Sequence, residues 1–157
     1  EDLIDEALIL LPNVRAIMMI RHPVDRAWSH AKKDLLRQTG RRLDEVPFSE
    51  FETFYTHPYV YRCGQYRTII RAWRDRLGPE RFLLVRFDSV RMEPMALMKR
   101  VCRFIGVSPL VKSKKAGDLA KVVNPTAKLI IPDRHREYLT DMFREEIPAL
   151  EMSAEAS

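Results

Sequence analysis

Cysteine is scarce in this chain: Cys63 and Cys102 are the two in 157 residues. One pair makes no disulfide framework, and their separation does not match the short Cys and His spacings of a structural metal site. Both read as unremarkable thiols. The histidines at 22, 30, 57 and 135 form no nucleophile or metal pattern and read as incidental. Sequons are absent, since Asn124 is followed by Pro125. No apolar run reaches the ~18 residues of a membrane span, and the opening Glu1-Asp2-Leu3 does not have the form of a signal peptide. Aromatics, at 9%, are nowhere interleaved with basic residues at strand spacing, which argues against a nucleic-acid-binding sheet. Internal repeats are missing as well.

What is present is an ordinary globular composition, large enough to bury a real core. The formal charge of +5 and a pI near 9.4 hint at an anionic partner. Arginines gather at 21, 26, 37, 41 and 42, and again at 62, 67, 71, 74 and 76. Part of that set reads as solvated helix face and part as a surface for an anionic ligand.

Elements alternate along the chain as in an α/β domain. Leu3–Leu11 reads as a helix end closed by Pro12-Asn13. Ala16–Ile20 is a continuous apolar run, expected to be a central parallel strand. A helix is expected from Asp25 to about Arg37, a polar loop over Arg41–Pro47, and a short helix over Ser49–Tyr55 with Ser49 as its cap. Pro58–Cys63 reads as irregular. Gly64 is expected to open a helix with Tyr66, Ile69, Ile70, Trp73 and Leu77 on one face, stopped by Gly78-Pro79. Phe82–Phe87 reads as a second buried strand, and Glu93-Pro94 as the start of a helix through Ile105-Gly106. Ser108–Asp118 is a lysine-rich loop, and Asp133 is expected to cap a last helix to about Glu146, with Tyr138, Leu139, Met142 and Phe143 inward. Two parallel strands need neighbours to cover their edges. The chain is therefore expected to be the carboxyl-terminal portion of a larger α/β domain over residues 1–150, with a disordered tail over 151–157.

The most telling stretch is Arg21-His22-Pro23-Val24-Asp25-Arg26-Ala27-Trp28-Ser29. A strand delivers Arg21 to its carboxyl end, and the chain turns through Pro23 into a helix carrying Arg26 and Ser29. A guanidinium, a hydroxyl and a helix N-terminus then surround one small volume, which suits a phosphate. Arg26 reads as structural support, paired with Asp25 or another carboxylate, and Trp28 and Trp73 as core.

At these residues the sequence resembles the PAPS-dependent sulfotransferases, especially the carbohydrate and heparan-type branch and its bacterial relatives. PAPS is 3′-phosphoadenosine 5′-phosphosulfate. The likeness covers about residues 12–106 well and the final helix loosely. Ala16–Ser29 is similar to the family's 3′-phosphate motif, a strand followed by Arg-x-Pro-x-x-Arg-x-x-Ser. A second block, Gly64-Gln65-Tyr66, Trp73, Phe82-Leu83-Leu84-Val85, Asp88 and Pro94, follows in order. The resemblance implies a P-loop-NTPase-like parallel sheet with flanking helices. It implies that Arg21 and Ser29 hold the 3′-phosphate. For Tyr66 it implies an approach to adenine, which stands beside core packing as the other reading.

The resemblance further implies PAPS as co-substrate, in-line sulfuryl transfer to a hydroxyl or amine, and no metal. Acceptors from sugars to small phenols fit. The family's 5′-phosphosulfate loop and acceptor-activating base are expected upstream and are not found in these residues. Its late basic loop is matched in composition by Ser113–Gly117 and in position by Asn124–Pro132, which offers Lys128. The lysine run reads as solvent-exposed charge. Arg37, Arg41 and Arg42 are expected to line the cleft of an anionic acceptor. Missing sequons and disulfides point to the cytoplasm, with the Golgi lumen as the alternative. Two other readings stay open: a non-catalytic module for nucleic acid or another anion, and a P-loop kinase relative.

Overall fold

The computed structural model describes residues 2–108 and 129–148, and the chain divides into two compact units. One unit takes in residues up to Ile20 and those from Ile70 onward to 108. The other takes in Arg21–Ile69 and the described residues from Leu129.

In the first unit, α1 spans Asp2–Leu10, β1 Ala16–Ile20, β2 Phe82–Arg86, α6 Phe87–Met92 and α7 Pro94–Ile105. The helix α5, Tyr66–Leu77, contributes its residues from Ile70. β1 and β2 pair in parallel, Ala16 opposite Phe82 and Ile20 opposite Arg86. The α/β class with a parallel sheet therefore stands. In this chain Ile17 and Met19 are exposed, while Ile20 is buried, so burial alternates along β1. An apolar run does not reveal how many faces are covered. β2 is the more buried partner through Phe82, Leu84 and Val85.

Arginines tie this unit's loops to its sheet. The backbone N–H of Ala16 donates to the Arg81 carbonyl at 2.8 Å, and Arg81 Nη1 donates to Pro12 O at 2.6 Å. Arg76 grips Asp5 through two bonds of 2.6 and 3.0 Å, and Arg100 donates to Leu84 O. At the end of α7, Gly106 takes φ 79°, a left-handed conformation that glycine adopts without the Cβ clash of other residues. Val107 N–H then closes on Cys102 O at 2.9 Å.

The second unit holds α2 (Pro23–Ala31), a π-helical continuation (Lys32–Arg37), a 3-10 turn (Leu43–Glu45), α3 (Phe48–Thr56), α4 (Pro58–Arg62), the first turn of α5, and α8 (Asp133–Met142). The extent expected for the second helix holds, but its second half widens to i→i+5 bonding. Gln38 N–H donates to Lys33 O at 3.0 Å, and Arg41 N–H to Leu36 O at 3.1 Å. Residues 58–62 are helical where irregular chain was expected, because Pro58 sits at N1 and His57 Nδ1 accepts from Tyr59 N–H. Neither Ser49 nor Asp133 caps its helix; both lie inside, with Pro47 and Pro132 at the caps.

The core of this unit joins Val24, Ala27, Trp28 and Ala31 of α2 to Phe51 and Tyr55 of α3 and to Leu139 and Phe143. One polar side chain lies among these apolar groups. His135 is buried, its ring meets Phe51 edge-on at 4.5 Å, and Nδ1 lies 3.0 Å from the Tyr55 hydroxyl. Burial pushes the Tyr55 phenol up and the His135 imidazole down, with Arg134 adding to the latter. The phenol thus keeps its proton and the imidazole stays neutral, and the imidazole tautomer sets which of the two donates.

Gly64 is buried for a reason of space. A Cβ there would lie 2.3 Å from Cε1 of Phe143, whose ring stacks on Tyr61 at 5.8 Å.

Two outcomes are expected. Gly64→Ala forces the Phe143 ring aside and should destabilise the chain by about 1–3 kcal/mol in urea unfolding; an unchanged midpoint would contradict the packing. His135 binds its proton less readily folded than unfolded. Its contribution is thus present above the unfolded pKa of about 6.5 and fades as pH falls from there toward the folded value. The urea midpoint should drop between about pH 7.5 and about pH 5.5, and His135→Gln should drop less. Half-buried His30 is also shifted down, so the variant retains part of the slope.

Candidate anion-binding site on helix α2

Arg21 is the first residue after β1, and α2 starts two residues later with Pro23 at N1. No side chain caps the N-terminus of α2. The amphipathic helix buries Val24, Ala27, Trp28 and Ala31 and leaves Asp25, Ser29 and Lys32 along a neighbouring face. Ser29 sits about 9 Å along the axis from Pro23 at 1.5 Å per residue. It is half-buried, and its hydroxyl has no hydrogen-bond partner among the described residues.

Two of the expected site residues meet directly. The backbone N–H of Arg21 donates to the Tyr66 hydroxyl at 3.4 Å. Tyr66 is 2% exposed, so its ring is packed and its hydroxyl is the polar anchor. Burial raises the phenol's pKa, opposed by the Arg21 N–H and by the charges of Arg26 and Arg21. Tyr66 therefore stays protonated at neutral pH and can donate onward.

The sequence reading passed over Lys32. It lies 5.8 Å over the Trp28 ring. Its pKa is lowered by burial first and then by the positive charge of Arg21, with Asp25 pulling the other way. Arg21 is thus near enough to act on Lys32, and Ser29 lies one helical turn before Lys32. Ser29 and Lys32 share one side of the helix, and the charge of Arg21 acts on Lys32. The i,i+3 spacing from Ser29 was the available signal, obscured because Lys32-Lys33 also reads as solvated charge.

Arg26 works as support, through a backbone acceptor and not the carboxylate expected. Its Nη2 donates to Val60 O at 2.8 Å, tying α2 to α4, while its buried Nε has no partner among the described residues. Arg41 and Arg42 are engaged with Glu50 and Asp44, and Arg37 is exposed. Lys128 and Ser113–Gly117 lie outside the described residues, as does the tail over 151–157.

A model of the sulfotransferase family matches residues 2–110, which include the Arg21–Ser29 stretch and the Gly64–Pro94 block. The chain belongs to that family. This sulfotransferase-family chain is 27% identical over 120 residues to a "Flavonol sulfotransferase-like" protein of Flaveria bidentis, across 74% of the chain and 38% of that relative. It thus spans well under half of the curated relative's length. Its fold is similar to that of the crystal structure of a sulfotransferase from Alicyclobacillus acidocaldarius, with a TM-score of 0.67 and 24% identity. That likeness covers 94% of this chain and 57% of the other. Among the described residues no helix is long and apolar enough to cross a membrane, and no group of His, Cys, Asp and Glu side chains is arranged to hold a metal ion.

Removing the Arg26 guanidinium leaves the buried Val60 carbonyl without its donor. Arg26→Met should therefore cost about 1–3 kcal/mol in urea unfolding, and a neutral effect would mean that the tie between α2 and α4 is idle.

Proposed function

We propose that this chain carries the 3′-phosphate side of a PAPS-dependent sulfuryl transfer to a hydroxyl or amine acceptor. The observation that supports it best is the convergence on α2: a guanidinium acting on Lys32, the Ser29 hydroxyl one turn away with no hydrogen-bond partner among the described residues, and Tyr66 holding the Arg21 backbone. Family membership supports the same chemistry.

The donor set fits a phosphate dianion. Arg21 offers a planar fork, Ser29 an O–H and Lys32 a point charge. The buried Arg26 Nε, a donor with no acceptor among the described residues, adds positive potential behind them. PAPS would supply the sulfuryl group. The chain's own residues would bind and orient the nucleotide by its 3′-phosphate, which distinguishes it from nucleotides lacking that group. Tyr66 acts on the adenine side as a positioning residue, because its hydroxyl sets where the Arg21 backbone lies. Lys128 is retained in the proposal as a further cation. Asp25, on the same face as Lys32, keeps the cations from being unopposed before a ligand arrives.

The test is calorimetric titration with 3′-phosphoadenosine 5′-phosphate, with adenosine 5′-phosphate as control. The 3′-phosphorylated nucleotide should bind more tightly. Arg21→Ala should lose about tenfold or more, the worth of charge-assisted hydrogen bonds, with a smaller loss in Ser29→Ala. Equal binding of the two nucleotides would overturn the assignment of the 3′-phosphate to this face.

A further inference from the structure

After α8, residues 143–148 meet the segment that leads into α5, within the same helical unit. Phe143 N–H donates to Leu139 O at 3.0 Å, and Glu146 N–H donates to Phe143 O at 2.9 Å, so this turn is a hydrogen-bonded extension of α8. Phe143 is buried, stacks on Tyr61 and fills the space over Gly64. Close packing of that kind leaves the turn little freedom against residues 61–64.

Two carboxylates project from the turn, and they do different things. Glu145 Oε2 stands 3.5 Å from Arg67 Nη1, an exposed ion pair of little weight. Glu146 Oε2 instead accepts from the backbone N–H of Arg67 at 2.8 Å, across 79 residues of sequence. Arg67 is the second residue of α5, so its N–H is one of the first-turn donors for which a helix has no internal acceptor. The residue before α5 is Gln65, which is not among the short polar side chains that usually cap a helix. Glu146 therefore caps α5 from a distant segment, and the peptide dipoles favour a carboxylate there.

We propose that Glu146 is a positioning residue for Arg21, acting through the Arg67 backbone and Tyr66. The turn that Glu146 caps carries the buried Tyr66 ring, and the Tyr66 hydroxyl accepts from the Arg21 N–H at 3.4 Å. That bond is already at the long end for N–H···O, so a small displacement of the ring is enough to break it. Arg21, Tyr66, Arg67 and Glu146 all belong to the helical unit. A carboxylate that touches no ligand thus sets where the Arg21 backbone lies. The consequence for nucleotide affinity rests on the 3′-phosphate role proposed for Arg21; the placement of its backbone does not.

The test compares Glu146→Ala, Glu146→Gln and Tyr66→Phe with the unaltered chain. Two quantities are read: the NMR shift of the Arg21 amide proton, and the affinities for 3′-phosphoadenosine 5′-phosphate and adenosine 5′-phosphate. In Glu146→Ala the Arg21 amide should move toward its Tyr66→Phe position. The 3′-phosphorylated nucleotide should bind about threefold or more weakly, on the order of a lost helix cap. Glu146→Gln still offers an oxygen to the Arg67 N–H and should keep most of both. Added to Tyr66→Phe, Glu146→Ala should do little more, because the route through the hydroxyl is already gone. A merely structural Glu146 would lower the urea midpoint and leave the Arg21 amide and the nucleotide affinity of the folded chain unchanged; that result would overturn the proposal. So would losses that add in full in the double variant. Equal binding of the two nucleotides by the unaltered chain would overturn the 3′-phosphate assignment instead, and the Arg21 amide shift then decides the positioning alone.

Discussion

The indole of Trp28 is held by three other groups, and what α2 presents to solvent follows from that hold. Its Nε1 donates to Leu129 O at 3.2 Å, its ring lies 5.1 Å from His135 and 6.0 Å from Phe51, and 4% of it is exposed. Truncating a buried aromatic of this size typically costs about 3–5 kcal/mol, so the rotation of α2 about its axis is strongly determined. With Trp28 inward, Ser29 has to face elsewhere, and Lys32 lies over the Trp28 ring. The core thereby orients the face that carries Ser29 without contributing an atom to it.

The polar group inside that core plays a different part. His135 is surrounded by aromatic rings and satisfied by one phenol, which fixes α8 relative to α3 in a way that apolar packing alone does not. Its counterpart across α2 is the π-helical segment. One widened turn changes which residues follow Ala31 on each face. It turns Asp34 and Leu35 toward α3, so the two sides of one continuous helix carry different chemistry: a lysine and a hydroxyl on one, a carboxylate beside rings on the other.

Much of this was legible from residue order. The strands at Ala16–Ile20 and Phe82–Arg86 showed as apolar runs between turn signals, and their parallel pairing followed from the helices between them. The strand–Arg21–Pro23–Ser29 order placed Arg21 at a strand end and Ser29 on the helix that follows, because strand periodicity and a proline at N1 are local features. Tyr66 was ambiguous between ligand contact and packing. Its hydroxyl meets the Arg21 backbone 45 residues away, a pairing that no window along the chain contains. Lys32 was hidden for a related reason: a lysine next to a lysine reads as solvated charge until an arginine elsewhere is seen to act on it.

By itself the sequence determined the two strands, most of the helices and the parallel α/β class, since those depend on propensity and hydrophobic period over a few turns. Tertiary structure decided the rest. It gave Gly64 its meaning, as the position where the Phe143 ring leaves no room for a Cβ. It engaged Arg41 with Glu50 and sent Arg26 to the Val60 carbonyl, so two arginines that looked available for ligands became supports. It also brought His30, Asp34, Phe54 and Tyr59 around one cleft. These outcomes depend on which surfaces meet, and pairings between distant segments are set by packing that local periodicity does not encode.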